Sequence, residues 1–284
     1  MSLTTTRDML LKAQKEGYAV GAFNAENMEM VQAVIEAAEE LKAPVIIQTT
    51  PGTLKYASPE LFAAMVAEEA KKASVPVALH LDHGNSYELA ARALKAGYTS
   101  IMIDGSKEKF DDNVAISSEV VKMAHAMGIP VEGELGTVGG KEDNHSVSES
   151  EKSYTDTAEA EEFAKLTGVD SLALGIGNAH GFYKGVPELK FDILEETRKR
   201  VSIPIVLHGA SGIPDEDVKK ATSLGICKVN YATELRDAYS KGVKAYLAEN
   251  PDTFDPKKYG ASGRDYVKTL VMHKIEVCNC AGKA

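Results

Sequence analysis

The chain has 284 residues, a formal net charge of −10 and no tryptophan. That length suits one α/β barrel, for which ~250 residues is typical, and an acidic chain with no basic stripe argues against a nucleic-acid partner. Three cysteines (Cys227, Cys278, Cys280) without C-x-x-C spacing argue against a disulfide framework and suit a reducing cytoplasm. No apolar run approaches the ~18 residues of a membrane span, and the charged N-terminus does not read as a signal peptide.

In chain order, residues 4–16 predict a helix ahead of the first strand, placed to plug a barrel bottom. Eight short runs rich in Val and Ile follow: AVGAFN (19–24), PVIIQTT (44–50), VPVALHLD (75–82), TSIMIDG (99–105), PVEGELG (130–136), SLALGIGN (171–178), PIVLHGA (204–210) and KVNYATE (228–234). Stretches of helical periodicity such as MEMVQAVIEAAEELK separate them, and several stop at a glycine (Gly97, Gly128, Gly168). Nearly continuous apolar strands are buried on both faces, as in a parallel sheet, so eight βα units predict a (β/α)8 barrel with a C-terminal helical extension, in a single domain. A doubly wound open sheet is the alternative, weakened by the lack of G-x-G-x-x-G after the first strand. One connection, TVGGKEDNHSVSESEKSYTDT (137–157), is longer than the ~12–15 residues usual in compact domains and reads as a lid.

Polar residues gather where strands end. Asp82 and His83 close the third strand, Asp104 the fourth, and Glu132 and Glu134 lie on the fifth. His180 follows the sixth strand and His208 ends the seventh. In a barrel these share one rim, and three histidines there match a catalytic zinc site with an open fourth position. The local spacings alone leave metal binding and structural roles both open. His80 reads as a hydrogen-bonded core histidine, His125 and His273 as helix residues with structural roles, and His145 as a surface residue of the long loop. HGASGIP (208–214) and NYATEL (230–235), after the last two strands, read as a phosphate site. Lys228, as a Schiff-base nucleophile, offers a competing chemistry.

With these residues in view, the chain resembles the class II, zinc-dependent ketose-bisphosphate aldolases, close to the tagatose-1,6-bisphosphate aldolase branch. The likeness runs nearly end to end, through YAVGAFN, LHLDHG, MIDGS, VEGELGTVGGKED, GIGNAHGFYKG, LHGASGIP, KVNYATEL and NPDTFDPKKY. It implies that His83, His180 and His208 bind zinc, with Asp104 and Glu134 at a second or displaced metal position. Asp82 is then the acid–base residue at the C4 oxygen, and Glu142 a proton-transfer residue of the lid. Gly181, Gly209, Ala210, Ser211, Asn230, Ala232 and Thr233 match positions that bind dihydroxyacetone phosphate, with Tyr231 inside the same segment. Carbonyls around Ala179, Gly181, Gly209 and Ser211 resemble a monovalent-cation (Na+ or K+) site, and Asn24 and Thr50 are expected to face the cavity.

The resemblance also implies a homodimer or homotetramer, with an auxiliary stabilising subunit as a further partner; a non-catalytic auxiliary role for this chain is disfavoured because Asp82 and all three histidines are present. Ala232 and NAHG resemble the tagatose type, whereas GASGIP fits the fructose-1,6-bisphosphate branch equally. Lys257 stands where relatives commonly carry an arginine for the distal phosphate, often across a subunit interface, and lacks that arginine's bidentate fork. Another phosphorylated ketose is therefore an open alternative.

Overall fold

In the computed structural model, described for residues 3–142, 145–147, 153–183, 185 and 187–284 (backbone alone at 141, 142 and 145–147), eight parallel strands close into a barrel. The elements run α1 (Thr6–Glu16), β1 (Val20–Asn24), α2 (Met28–Leu41), β2 (Val45–Thr49), α3 (Pro51–Ala57), α4 (Pro59–Lys72), β3 (Val77–Gly84), α5 (Tyr87–Ala96), β4 (Ser100–Ile103), α6 (Phe110–His125) and β5 (Val131–Leu135). Then come β6 (Gly139–Glu142), β7 (His145–Val147), α7 (Thr157–Thr167), β8 (Ser171–Leu174), β9 (Ala179–His180), α8 (Phe191–Arg200), β10 (Ile205–Leu207), α9 (Asp215–Ser223), β11 (Ile226–Tyr231), α10 (Thr233–Glu249) and α11 (Pro256–Val277). Around the barrel the order is β1-β11-β10-β8-β5-β4-β3-β2, and these eight strands coincide with the eight apolar runs.

The strands are buried along their whole length because helices cover the outer face and side chains fill the interior. Local signals set the helix starts. Asn27 accepts from the Met30 amide to cap α2, Asp156 accepts from the Ala158 and Glu159 amides to cap α7, and Pro59 opens α4 behind Ser58. Below the barrel, Thr4 N–H bonds the Val77 carbonyl and Thr6 Oγ1 donates to Ser100 Oγ, so α1 is tied to the strands' N-terminal ends. The long α11 lies against α2, joined by Arg264–Glu36 and Lys268–Glu40 ion pairs.

The connection read as a lid carries structure of its own. β6 and β7 form an antiparallel pair, and β6 also pairs in parallel with β9, with Gly139 opposite Ala179 and Gly140 opposite His180. The hairpin is therefore hydrogen-bonded to the segment that carries a candidate metal ligand. Gly140 permits this approach: its φ is 91°, and a Cβ there would lie 2.1 Å from the His180 carbonyl oxygen. Polarity hid the hairpin from a sequence reading, because GGKE and HSV contain one apolar residue between them and show no period-2 pattern.

Gly140→Ala should detach the hairpin while sparing the barrel. Hydrogen exchange should show lost protection at residues 139–142 with barrel-strand amides unchanged; unchanged protection at Gly140 and Lys141 would contradict the account.

Candidate metal centre and active site

The HLDH segment meets a constraint first. Successive residues of a strand point to opposite faces, so Asp82 and His83 in a regular β3 could not both serve one site. The β3–β4 register shifts between Leu81 and Gly84, and His83 has a φ of 49°. A non-glycine residue in this region stores local strain of ~1–3 kcal/mol. The irregularity turns both side chains into the barrel mouth, as bulges beside functional sites do.

His83 meets His180 and His208 there. His83 Nε2 lies 3.1 Å from His180 Nε2 and 3.1 Å from His208 Nδ1, and all three side chains are buried. Their outer nitrogens identify the inner ones. His83 Nδ1 lies 2.8 Å from Asp104 Oδ2, and His208 Nε2 lies 2.8 Å from Glu132 Oε1; carboxylates accept, so each imidazole donates there. A neutral imidazole has one N–H, which leaves His83 Nε2 and His208 Nδ1 as lone pairs directed at each other. Such lone pairs need a proton or a cation between them. Nitrogens about 3.3 Å apart are what a tetrahedral zinc with ~2.0–2.1 Å bonds demands, so the donor set fits that ion. In the metal-free protein a proton takes this role: burial opposes a charge on His83, but Asp82 and Asp104 hold its pKa well above the ordinary value. Burial and the neighbouring His83 push His208 well below its ordinary value. Metal binding would displace the His83 proton.

A second group, His83, Asp104 and Glu134, also brings one ligand atom from each residue within 4.8 Å of the others. Asp104 is fixed through Oδ1 by the Ser106 amide and hydroxyl. Glu134 Oε2 sits 3.5 Å from His208 Nδ1. Burial, then the Asp104 charge, raises Glu134 to about 8. The two groups share His83, so they describe neighbouring positions in one mouth.

Asp82 is held from both sides. Asn24 Nδ2 donates to Oδ2 at 2.9 Å and Asn230 Nδ2 to Oδ1 at 3.1 Å, while Gln48 Nε2 donates to Asn24 Oδ1 at 2.8 Å. Burial works against ionisation of Asp82, but the positive charges of His83 and Lys228 and the Asn24 hydrogen bond lower its pKa. It is therefore a preformed carboxylate base beside the histidine cluster. Asn230 Oδ1, buried, has no hydrogen-bond partner among the described residues.

The two small-residue loops meet beside this carboxylate. Ser211 Oγ accepts from the amides of Ala232 and Glu234 at 3.4 Å each, and the Ala210 amide bonds the Asn230 carbonyl. Thr233 starts α10, whose N-cap residue Ala232 has no side chain to cap it, so the Ser211 hydroxyl serves the first turn from the neighbouring loop. A small-residue loop against the positive end of a helix dipole is an anion site in outline. Gly209, with φ 62°, lets this loop lie on the Ala179 carbonyl, which a Cβ would approach to 2.4 Å. Gly181 likewise has a positive φ, 86°, directly after His180. Of the carbonyls matched to a monovalent-cation site, that of Gly209 accepts the Tyr183 hydroxyl at 2.9 Å.

Other predicted residues divide. Thr50 is buried at the start of α3, bonded to Thr53. Tyr231 departs from its expected substrate-binding place: its ring stacks on Phe23 (centroids 5.7 Å apart) and its hydroxyl faces Cys278 Sγ at 3.6 Å. Strand alternation explains this, since Asn230 points inward and the next side chain must point out. Lys257 is exposed at the start of α11, paired with Asp255 at 2.9 Å, in a surface groove lined by residues 249–258 that includes none of the histidine cluster. The side chains of Glu142 and His145 lie outside the described residues. His80 is a core residue bonded to Ser100, and His125 and His273 pair with Asp170 and Asp215 at 2.7 Å. Lys228 is fully buried on Glu132 at 2.8 Å, below the rim, which withdraws it from Schiff-base chemistry. Gln48, Ser106 and Tyr183 escaped the sequence reading; only Gln48, a lone amide in the apolar run VIIQT, left a signal.

Glu134 makes a pH prediction for the metal-free protein. Its folded pKa of about 8 lies above the ordinary carboxylate value of 4.5, so between these pH values the unfolded chain has released a proton that the folded chain keeps. Stability should fall as pH rises across that window. Glu134→Gln should flatten the fall, by on the order of a few kcal/mol at pH 8 and little at pH 4.5. Urea unfolding in excess chelator at both pH values measures it; parallel pH profiles for the two proteins would refute it.

Comparison with known proteins agrees with this geometry. Residues 4–283 match the family model described as fructose-bisphosphate aldolase class-II. The chain is similar to the crystal structure of the YdjI aldolase from Escherichia coli K12, with 40% identity, 99% of each chain covered and a TM-score of 0.88. A putative fructose-1,6-bisphosphate aldolase from Coccidioides immitis is 30% identical, with 97% of this chain and 96% of that one covered and a TM-score of 0.90. Fructose-bisphosphate aldolase from Campylobacter jejuni is 25% identical, with 100% and 97% covered and a TM-score of 0.84. A barrel with its histidines, carboxylates and small-residue loops at one mouth, matched over nearly its whole length, is a lyase that belongs to the class II fructose-bisphosphate aldolase family.

Proposed function

We propose that this protein catalyses zinc-dependent, reversible aldol cleavage of a ketose 1,6-bisphosphate to dihydroxyacetone phosphate and D-glyceraldehyde 3-phosphate, with D-tagatose 1,6-bisphosphate as substrate. The observation that carries the reading is the convergence of His83, His180 and His208, with spacings of 3.1 Å, next to a carboxylate on the same strand. Ala232 in the NYATEL loop favours the tagatose substrate. Fructose 1,6-bisphosphate is the second reading, supported by the GASGIP loop and by the names of two similar structures.

His83, His180 and His208 would hold the ion. Bound there, zinc supplies Lewis acidity that stabilises negative charge developing on substrate oxygens. The protein's own groups account for the remaining chemistry. Asp82 takes the proton of the C4 hydroxyl as the C3–C4 bond breaks and returns it to the aldehyde in condensation. Asn24 and Asn230 fix that carboxylate by one hydrogen bond to each oxygen, so no reorientation is needed during transfer. Asn230 Oδ1 is free to accept a substrate hydroxyl. The Gly209–Ser211 loop and the start of α10 would bind the phosphate of the dihydroxyacetone half, setting the distance from the phosphate to the reacting carbons. The hairpin of β6 and β7 brings the Glu142 segment to the same mouth through its pairing with β9, consistent with proton transfer at the dihydroxyacetone phosphate carbon and with exclusion of water.

Cleavage of tagatose and fructose 1,6-bisphosphate, measured side by side, tests the proposal. Excess chelator should abolish activity and added zinc restore it; full activity in chelator would end the zinc reading, and a preference for the fructose substrate would end the tagatose assignment. Asp82→Ala should lower kcat by ~10²–10⁴ while one zinc per chain remains bound, whereas His83→Ala should fail to retain the metal on gel filtration. An Asp82→Ala enzyme with normal kcat would remove Asp82 from the mechanism.

A further inference from the structure

A polar chain crosses the barrel interior beneath the mouth, and its residues are buried at every step. Lys228 Nζ donates to Glu132 Oε2 at 2.8 Å and lies 3.4 Å from His80 Nε2. His80 Nδ1 lies 2.8 Å from Ser100 Oγ, which also receives the Thr6 hydroxyl of α1 at 2.9 Å. At the upper end Glu132 Oε1 meets His208 Nε2 at 2.8 Å. Lys228, Glu132, His80 and His208 have exposures of 0 to 2%, so water does not supply alternative partners.

The proton positions follow from what each group can do. A lysine ammonium only donates. His80 Nε2, facing it, must therefore accept, which places the His80 proton on Nδ1 toward Ser100. Glu132 receives the ammonium on Oε2 and remains a carboxylate that only accepts, so His208 must donate to Oε1 from Nε2. Its remaining nitrogen, Nδ1, is then a lone pair aimed at the point where His83 and His180 converge. Exchange of the His208 proton to Nδ1 would leave two acceptors facing each other at Glu132 and would block the ligand position. Without Lys228, the carboxylate would be a buried charge lacking its counter-ion, a costly arrangement.

We infer that the buried Lys228–Glu132 ion pair is the positioning element that commits His208 to its Nε2–H tautomer and so presents Nδ1 to the metal. The inference rests on the zinc reading of the histidine cluster and adds to it residues that touch neither the metal position nor substrate. Partners of this kind commonly change metal affinity by ~10–100-fold. The pair also accounts for a lysine and a glutamate inside the barrel, where each buried charge needs the other.

The test measures zinc affinity of the purified chain by competition with a chromophoric chelator, together with the visible spectrum of the cobalt-substituted protein. Glu132→Gln should weaken zinc binding 10–100-fold and shift the cobalt bands, because an amide no longer requires His208 to donate. Lys228→Gln, which leaves the carboxylate in place, should weaken zinc in the same direction, and the Glu132→Gln/Lys228→Gln double variant should lose less than the sum of the two. A purely structural role predicts lower thermal stability of the metal-free variants with zinc affinity within twofold of the parent and an unchanged cobalt spectrum. That result in either folded single variant overturns the inference. Failure of the parent chain itself to bind zinc or cobalt would instead overturn the zinc reading, so the two failures are separable.

Discussion

Three imidazole nitrogens directed at one buried point are the constraint on which the rest of the mouth depends. In the metal-free protein a proton on His83 bridges two of them. His83 Nδ1 and His208 Nε2 are already committed to Asp104 and Glu132, which leaves inner lone pairs 3.1 Å apart. Each neighbouring feature serves that arrangement. Asp104 is held by Ser106, Glu132 by Lys228, and the loop bearing His208 by Asn178, whose side-chain amide donates to the His208 carbonyl at 3.0 Å. In the proposed function a cation at the centre takes that proton's place and supplies the electrophile that an aldol reaction needs.

The barrel separates two tasks by depth. Its lower interior carries a neutralised ion pair and satisfied hydrogen bonds, while the upper rim keeps polar atoms in reserve. Asn230 Oδ1 and Glu134 Oε2 are buried without hydrogen-bond partners among the described residues. Groups left this way lose hydration without compensation, which is tolerable only where a ligand completes them. The strained His83 backbone lies at the same level. Strain and unfulfilled polarity thus coincide at the site, as expected of a fold whose stability resides below the mouth and whose chemistry resides on it.

The β6–β7 hairpin reaches the histidine cluster through its backbone. Its pairing with β9 makes the backbone of His180 part of a small sheet outside the barrel. The hairpin and His180 therefore share one hydrogen-bonded backbone framework.

Much of this was legible in the sequence. The eight apolar runs announced eight buried parallel strands, since only such strands need apolar residues on both faces. His83, His180 and His208 could be assigned to one rim once the strands were counted, because a parallel barrel brings every strand's C-terminal end to one side. The tertiary structure alone decided which atoms meet. That Asp82 and His83 share a site despite strand alternation depends on a backbone irregularity; that Tyr231 faces Phe23 rather than substrate depends on alternation being obeyed in β11, three strands round the barrel. The Lys228–Glu132 pair joins residues 96 positions apart, and Asn230 reaches Asp82 across 148. Sequence patterns report the period of burial along one element, whereas tautomers, ion pairs and ligand sets are fixed by atoms that the closing of the barrel brings within 3 Å or so of one another.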